Sequence, residues 1–348
     1  MRLRVLAAVF AVPAAAALML WYACPERRVA ALFDPPRGLG DVKVGIYFYP
    51  WYDDSRWRIP RRHTPLAGEY RSADGSVIAG QMELIASTGV DYVIFELVAP
   101  EDHAFALVEE AIAAAIPHLR RLGLRWSFLF DAAPFRRRDR DRLLPRLFRL
   151  IEERGWTDGL VDGPSGRELV FVFSPAPSEA AALLERYGGR YELRFPIFLP
   201  SWDATLEPSK FVDTPWTAAL RDEAASGALT LHRYFEALRY VAFWTGTGQM
   251  RSFDGFVAVV PGYDDTLLRR TPQLAPVLAR REGMTYLEQF QAAARLGPSH
   301  ILIYGWNEYL EATTIEPAVE YGFFYTDLTR EFIGRLKDGG RHTSAAAH

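Results

Sequence analysis

The chain has a single cysteine, Cys24, in 348 residues. A lone cysteine excludes an intramolecular disulfide and argues against a thiolate metal site. An excess of charge of one sign is missing too: 40 basic residues stand against 43 acidic ones, for a formal net charge of −3. That balance gives no support to a nucleic-acid partner, which would favour a basic face. The densest basic run, RRRDRDR at 136–142, is interleaved with aspartates and reads as a solvated helix start. Several catalytic signatures are absent as well. There is no HExxH zinc motif, no nucleophile elbow, no EF-hand loop and no glycine-rich phosphate fingerprint after the first strand-like run. No internal repeat marks a solenoid. No cofactor is expected, and no metal.

What is present is apolar and aromatic. Hydrophobic residues make up 49% of the chain and charged residues 24%, enough for a sizeable globular core. Aromatics reach 14%, with nine Trp. Several stand beside polar residues at the ends of strand-like runs, where a flat ring with a polar edge suits stacking on sugars. The long uncharged run is N-terminal: Arg2 and Arg4 precede Val5 to Cys24, about the length that crosses a bilayer as a helix. We read 1–24 as a signal anchor in preference to a cleaved signal peptide. The basic flank then leaves the following domain on the non-cytoplasmic side, anchored to a membrane or secreted. Residues 25–41, rich in Pro, Gly and Arg, read as a linker.

From 42 onward, apolar strand-like runs alternate with helical spacing. Strands are expected at 42–49, 90–98, 124–131, 167–173 and 191–202, then at 255–262 and 300–304. Helices are expected at 77–88, 103–122, 140–154, 178–187, 283–296 and 326–337, the first announced by Asp74 and Ser76. The stretch 202–230 reads as an elaborated loop, and 231–245 as a helix with a doubtful eighth strand at 239–244. The tail, 338–348, reads as disordered. Continuous apolar strands separated by helices indicate a parallel sheet covered on both faces. The count favours a (β/α)8 TIM barrel over 42–337 rather than an open doubly wound sheet.

In such a barrel the C-terminal strand ends converge on one face. Here they carry Tyr49 and Trp51, Glu96, Asp131, Tyr263 with Asp265, and Trp306 with Asn307, Glu308 and Glu311. His63 comes from the long first loop, and Glu316 from the segment that closes the last strand end. Each has a plainer use: the tryptophans as plugs, Glu96 in an ion pair, Asp131 as a helix cap, Asp265 as a turn brace, His63 as surface. Asn307 with its glutamates also fits the first turn of a helix. Their convergence favours a site. Carboxylates with aromatic platforms are the chemistry of glycoside cleavage.

The last of these segments, WNEYLEATTIEP, resembles the NEWHEGTQIE segment of family 99 of the glycoside hydrolases, the endo-α-1,2-mannosidases and mannanases. VVPGYDDTLLR is similar to that family's PGYIDT-x-IR segment, and PLAGEYRSADGSVIAGQME to its stretch between first strand and first helix. The resemblance implies a metal-free retaining glycosidase on a barrel. Its two carboxylates fall on Glu308 and Glu311. The first deprotonates the sugar's own 2-hydroxyl, which attacks the anomeric carbon; the second protonates the leaving oxygen and later activates water. Three positions apart on one helical turn, both would approach the sugar from the same side. The sequence departs from the family at Leu310, where a His stands, and at Ala312, where a Gly stands. The partner implied is an oligo- or polysaccharide. Two other readings stay open: a non-catalytic glycan-binding or polysaccharide-assembly barrel, and a transglycosylase. Oligomeric state is not readable.

Overall fold

The computed structural model describes residues 24–195 (apart from 37, 133, 136 and 174–176), 255–268 and 277–338. The expected membrane segment up to residue 23, the loop at 202–230, the doubtful strand at 239–244 and the tail from 339 lie outside the described residues. No described helix is long and apolar enough to cross a membrane.

The chain opens with α1 (Pro25–Ala31) and then alternates: β1 (Lys43–Phe48), α2 (Gly75–Ser87), β2 (Tyr92–Val98), α3 (Phe105–Leu122) and β3 (Arg125–Asp131). It continues through α4 (Arg137–Glu153), β4 (Glu168–Val172), α5 (Pro177–Tyr187) and β5 (Tyr191–Arg194). After the undescribed stretch come β6 (Phe256–Val259), the short β7 (Tyr263–Asp264) and β8 (Val277–Leu278), α6 (Met284–Arg295), β9 (His300–Ile303) and α7 (Phe324–Asp338). Seven strands form one sheet in the order β5-β4-β3-β2-β1-β9-β6, and every pairing in it is parallel. The strands and helices fall close to where periodicity and capping put them. Asp74 caps α2 by accepting from the amides of Ser76 and Val77, and Gly123, at φ 72°, ends α3 in the left-handed conformation that glycine adopts freely.

Strand alternation sorts the side chains into two layers. Val44, Ile46, Phe48, Val93, Phe95, Phe128, Phe130, Ile301 and Ile303 face the helices. Tyr47, Ile94, Leu129, Leu169, Phe171, Phe256 and Leu302 face inward. The sheet curls until side chains of its two edge strands touch: the Arg194 guanidinium of β5 lies 4.8 Å over the Phe256 ring of β6. Phe256 is in turn 6.2 Å from Phe171 on β4. This is a TIM-barrel-like arrangement. At its N-terminal end Tyr92 of β2 reaches over β1 to bond His300 Nδ1 of β9 at 2.9 Å. Gly45 makes room for it, since a Cβ there would stand 2.4 Å from the Tyr92 ring.

The stretch 25–41 is not a linker. Beneath its prolines and arginines it carries Ala30, Phe33 and Leu39, all buried. Phe33 packs 6.1 Å from Phe290 on α6 and 4.9 Å from Phe332 on α7. Asp34 exchanges two backbone hydrogen bonds with the Gln291 amide. Burial of these few apolar side chains outweighs the local loop composition.

Candidate active site

After β9 the chain leaves the sheet as a narrow doubled-back loop. The Trp306 amide bonds the Tyr47 carbonyl at 2.7 Å, which extends the outward limb beside β1. On return, Thr313 N bonds Glu308 O at 3.1 Å, and Ile315 N and Glu316 N bond Trp306 O at 2.9 and 2.8 Å. Ala312 turns the corner with φ 55°. Glu308 and Glu311 therefore sit on the tip of a hairpin-like loop, within a single turn closed as a helix end is closed: Thr313 N reaches back to Glu308 O, Ala312 N to Tyr309 O, and Ala312 is left-handed. No regular helix follows, and two features of the sequence fix the loop in its place. Asn307 does not cap a helix; its amide accepts from Tyr49 N at 2.8 Å and donates to Tyr49 O at 2.9 Å, stitching the loop to the end of β1. The β-branched run Thr313-Thr314-Ile315 then favours extended backbone for the return limb.

Around the tip the strand ends supply a tight electrostatic group. Glu308 is 3% exposed, and Leu310 N donates to its Oε1 at 2.9 Å. Burial and then the nearby Glu311 push Glu308 up to about 8, against the opposing pull of Arg56. Glu96, at the end of β2 and 6% exposed, is raised well above the carboxylate range by burial, then by Asp131 and Glu308. Burial and the charges of Glu96, Glu308 and Glu311 raise the Tyr49 hydroxyl. Glu311, half-buried, accepts from the Tyr304 hydroxyl at 3.1 Å. Trp51 stands between Tyr49, ring centroids 5.0 Å apart, and Arg56, whose guanidinium carbon is 4.3 Å from the indole centroid. Tyr49, Trp51, Glu96, Asp131, Glu308 and Glu311 thus come together. The group can hold a proton on one carboxyl beside an ionised neighbour, which is what acid and base work on one bond requires. Among the described residues no three His, Cys, Asp or Glu side chains form a metal-binding group.

No protein-family model and no curated protein sequence matches the chain. Solved structures do. A family-99 endo-α-mannosidase from Bacteroides thetaiotaomicron, in complex with Bis-Tris-propane, superposes with TM-score 0.59 at 18% identity, over 88% of this chain and 100% of that one. A second structure of a family-99 endo-α-mannosidase from that organism gives 0.57 at 16% identity, over 87% and 99%. A glycoside hydrolase-like protein gives 0.54 at 13% identity, over 89% and 99%. The chain has a family-99-like fold.

Within this family-99-like barrel, several residues expected at the site serve it from outside. Trp306 is fully buried in the helix-facing layer, so it is packing and not a sugar platform. Asn307 is the stitch described above. Tyr263 and Asp265 bond each other at 2.9 Å in buried positions, and between them Asp264 N bonds Glu311 O at 2.9 Å. They flank the tip. His63 packs edge-on to Tyr321 at 5.3 Å; burial, then Arg280, lower it to about 3, so it is neutral in neutral solution. Glu316 is buried beneath the loop, where its carboxyl accepts from the Tyr70 hydroxyl at 2.9 Å and from Gln81 Nε2 at 3.1 Å. Two neighbours were missed in the sequence. Tyr304 was legible, since it continues the inward phase of Leu302. Arg56 was not, because an arginine in a long polar loop carries no signal of where it points.

The buried acids make stability depend on pH. Burial raises Glu316, like Glu308, to about 8. The folded state therefore keeps a proton that the unfolded chain releases near its ordinary pKa of about 4.3. The stabilisation is complete below that value and is lost as pH rises towards 8, by up to about 1.4 kcal/mol per pH unit per group. The melting temperature is expected to fall between pH 5 and pH 8. Glu316→Gln, which cannot ionise, is expected to flatten that fall. Scanning calorimetry of both proteins checks this, and equal slopes would remove Glu316 as a source.

Proposed function

We propose that the protein is a glycoside hydrolase that cleaves α-mannosidic or related polysaccharide linkages with retention. The observation that carries the reading is the Glu308–Glu311 tip at the end of β9, facing Tyr49, Glu96 and Asp131 within one another's fields. Glycosidases need one carboxyl that bears a proton and one that does not. Presenting both glutamates from one loop favours attack by the substrate's own 2-hydroxyl over attack by a carboxylate from the opposite face. Glu308 takes that hydroxyl proton, and Glu311 protonates the leaving oxygen and then activates water. The likeness to family-99 endo-α-mannosidases supports the same reading at the level of fold.

The test is turnover of a panel of α-linked manno-oligosaccharides by the full chain, with product anomers followed by NMR. Cleavage with retention is expected, and a 2-deoxy analogue should resist it. Because the base and the acid share one proton across an interacting pair, kcat/KM is expected to be bell-shaped in pH, falling where both carboxyls are protonated and again where both are ionised. A second reading has one specific observation behind it. Leu310, buried and apolar, occupies the tip where the family it resembles has a histidine. Glycan binding without cleavage of any panel member would favour that reading, a glycan-binding barrel.

A further inference from the structure

The return limb of the tip hangs from its carbonyls. Ala312 O and Thr314 O both accept from one nitrogen of Arg280, Nη2, at 2.9 and 2.7 Å. Thr314 O and Glu316 O lie 3.1 and 3.0 Å from the Tyr321 hydroxyl and share its one proton. Carbonyls of three alternate residues on one edge are thus held by two side chains, while the amides of Thr313, Ile315 and Glu316 pair with the outward limb. The two holders support each other, since the guanidinium carbon lies 5.0 Å from the Tyr321 ring and 4.4 Å from the Tyr325 ring.

Arg280 belongs to a different part of the chain and is brought in by its own supports. The β7–β8 ladder pairs Tyr263 with Leu278, which sets Arg280 beside Gly262. A Cβ on Gly262 would stand 2.5 Å from Arg280 Cγ, so the arginine stem needs a glycine there. Thr285 Oγ1 bonds the carbonyl of the preceding Ala279 at 2.6 Å and fixes the peptide that aims it. The corner it holds is a strained one, because Ala312 has a side chain in the left-handed region. Without a partner for its carbonyl, that corner has every reason to relax, and Glu311 is its immediate neighbour.

We propose that Arg280, seated on Tyr321, is a positioning clamp that sets Glu311 against Glu308. The proposal rests on the glycosidase reading of that tip. Arg280 touches no reacting atom; it fixes the backbone on which one acts. A guanidinium suits the task because it stays charged across the working pH range and offers several donors in a rigid plane, whereas an ammonium on a flexible stem does not hold two carbonyls in the same geometry.

The experiment compares Arg280→Met, Arg280→Lys and Tyr321→Phe with the unmodified chain, by kinetics and by amide hydrogen exchange. Small displacements of a catalytic group can cost about 10²-fold. Arg280→Met is therefore expected to lower kcat by about that factor with KM changed less than about threefold, which marks loss of transition-state placement and not of binding. Arg280→Lys should recover part of kcat. In all three variants, exchange at residues 309–313 should quicken while exchange in β1 and β2 stays as it was. Unchanged kcat, a rise in KM alone, or exchange that quickens throughout the barrel would overturn the clamp. If Arg280→Met does not fold, the other two variants carry the same comparison. If the unmodified protein cleaves no glycan, the glycosidase reading falls by itself. Exchange at the tip then decides the clamp: quickened in Arg280→Lys and Tyr321→Phe it stands, unchanged it falls.

Discussion

Glu308→Gln and Glu311→Gln are each expected to lower kcat on an unactivated α-glycan by about 10³-fold or more, since under the proposed function each removes a proton transfer at the reacting bond. Neither should unfold the protein. Glutamine keeps the shape of glutamate, and at 308 its carbonyl oxygen can still accept from Leu310 N. Above neutral pH Glu308→Gln should even melt higher, because a buried group raised to about 8 no longer has to ionise. The two variants should part on a substrate with a good leaving group. Once the leaving oxygen needs no proton, Glu311→Gln should release the first product nearly as fast as the unmodified enzyme. Glu308→Gln should stay slow, because the attacking 2-hydroxyl still needs a base. Kinetics on an oligosaccharide and on an activated aryl glycoside, with melting curves of the same preparations, supply the comparison. A loss below about tenfold in either variant would take that carboxyl out of the chemistry.

Asn307→Ala should be the most damaging of the conservative truncations. The side chain is fully buried and serves both the amide and the carbonyl of Tyr49. Alanine leaves two buried main-chain groups without partners. Each such group costs about 1–3 kcal/mol, so a loss of about 3 kcal/mol is expected. Activity should fall with it, because the stitch is what registers the tip against β1, where Tyr49 meets the carboxyl group. Urea unfolding gives the stability and turnover the activity. A midpoint shift worth less than about 1 kcal/mol would mean that the loop holds its place by other contacts.

The barrel was legible because its signals are local and repeated. The strands from β1 to β4 are apolar runs, and in β2 and β3 a carboxyl, Glu96 and Asp131, stands near the end because an inward-facing carboxyl is tolerable only where the interior opens. The same pattern put Tyr49, Trp51, Glu308 and Glu311 forward as strand-end candidates, and the structure brings them together. What the sequence hid was change of phase. Leu302 and Tyr304 face inward, so simple alternation puts Trp306 inward as well. Beyond Gly305 the outward limb bends to pair with Thr313 and Ile315, and Trp306 turns into the helix-facing layer instead. The spacing of Glu308 and Glu311 marks one turn, but nothing in it announced that a left-handed Ala312 ends that turn at once. At 25–41 loop-forming residues outnumber the few that matter for packing, so composition hid α1.

The reach of Tyr92 over β1 has a bearing on traffic. With its hydroxyl on His300, and with Phe256 stacked 4.5 Å from the His300 ring, aromatic side chains fill the interior at the N-terminal ends of β2, β1, β9 and β6. Under the proposed function, a glycan that reaches the strand ends meets those side chains as a floor beneath β1, β2 and β9, and the fragments of a cut chain leave over the rim by which it came.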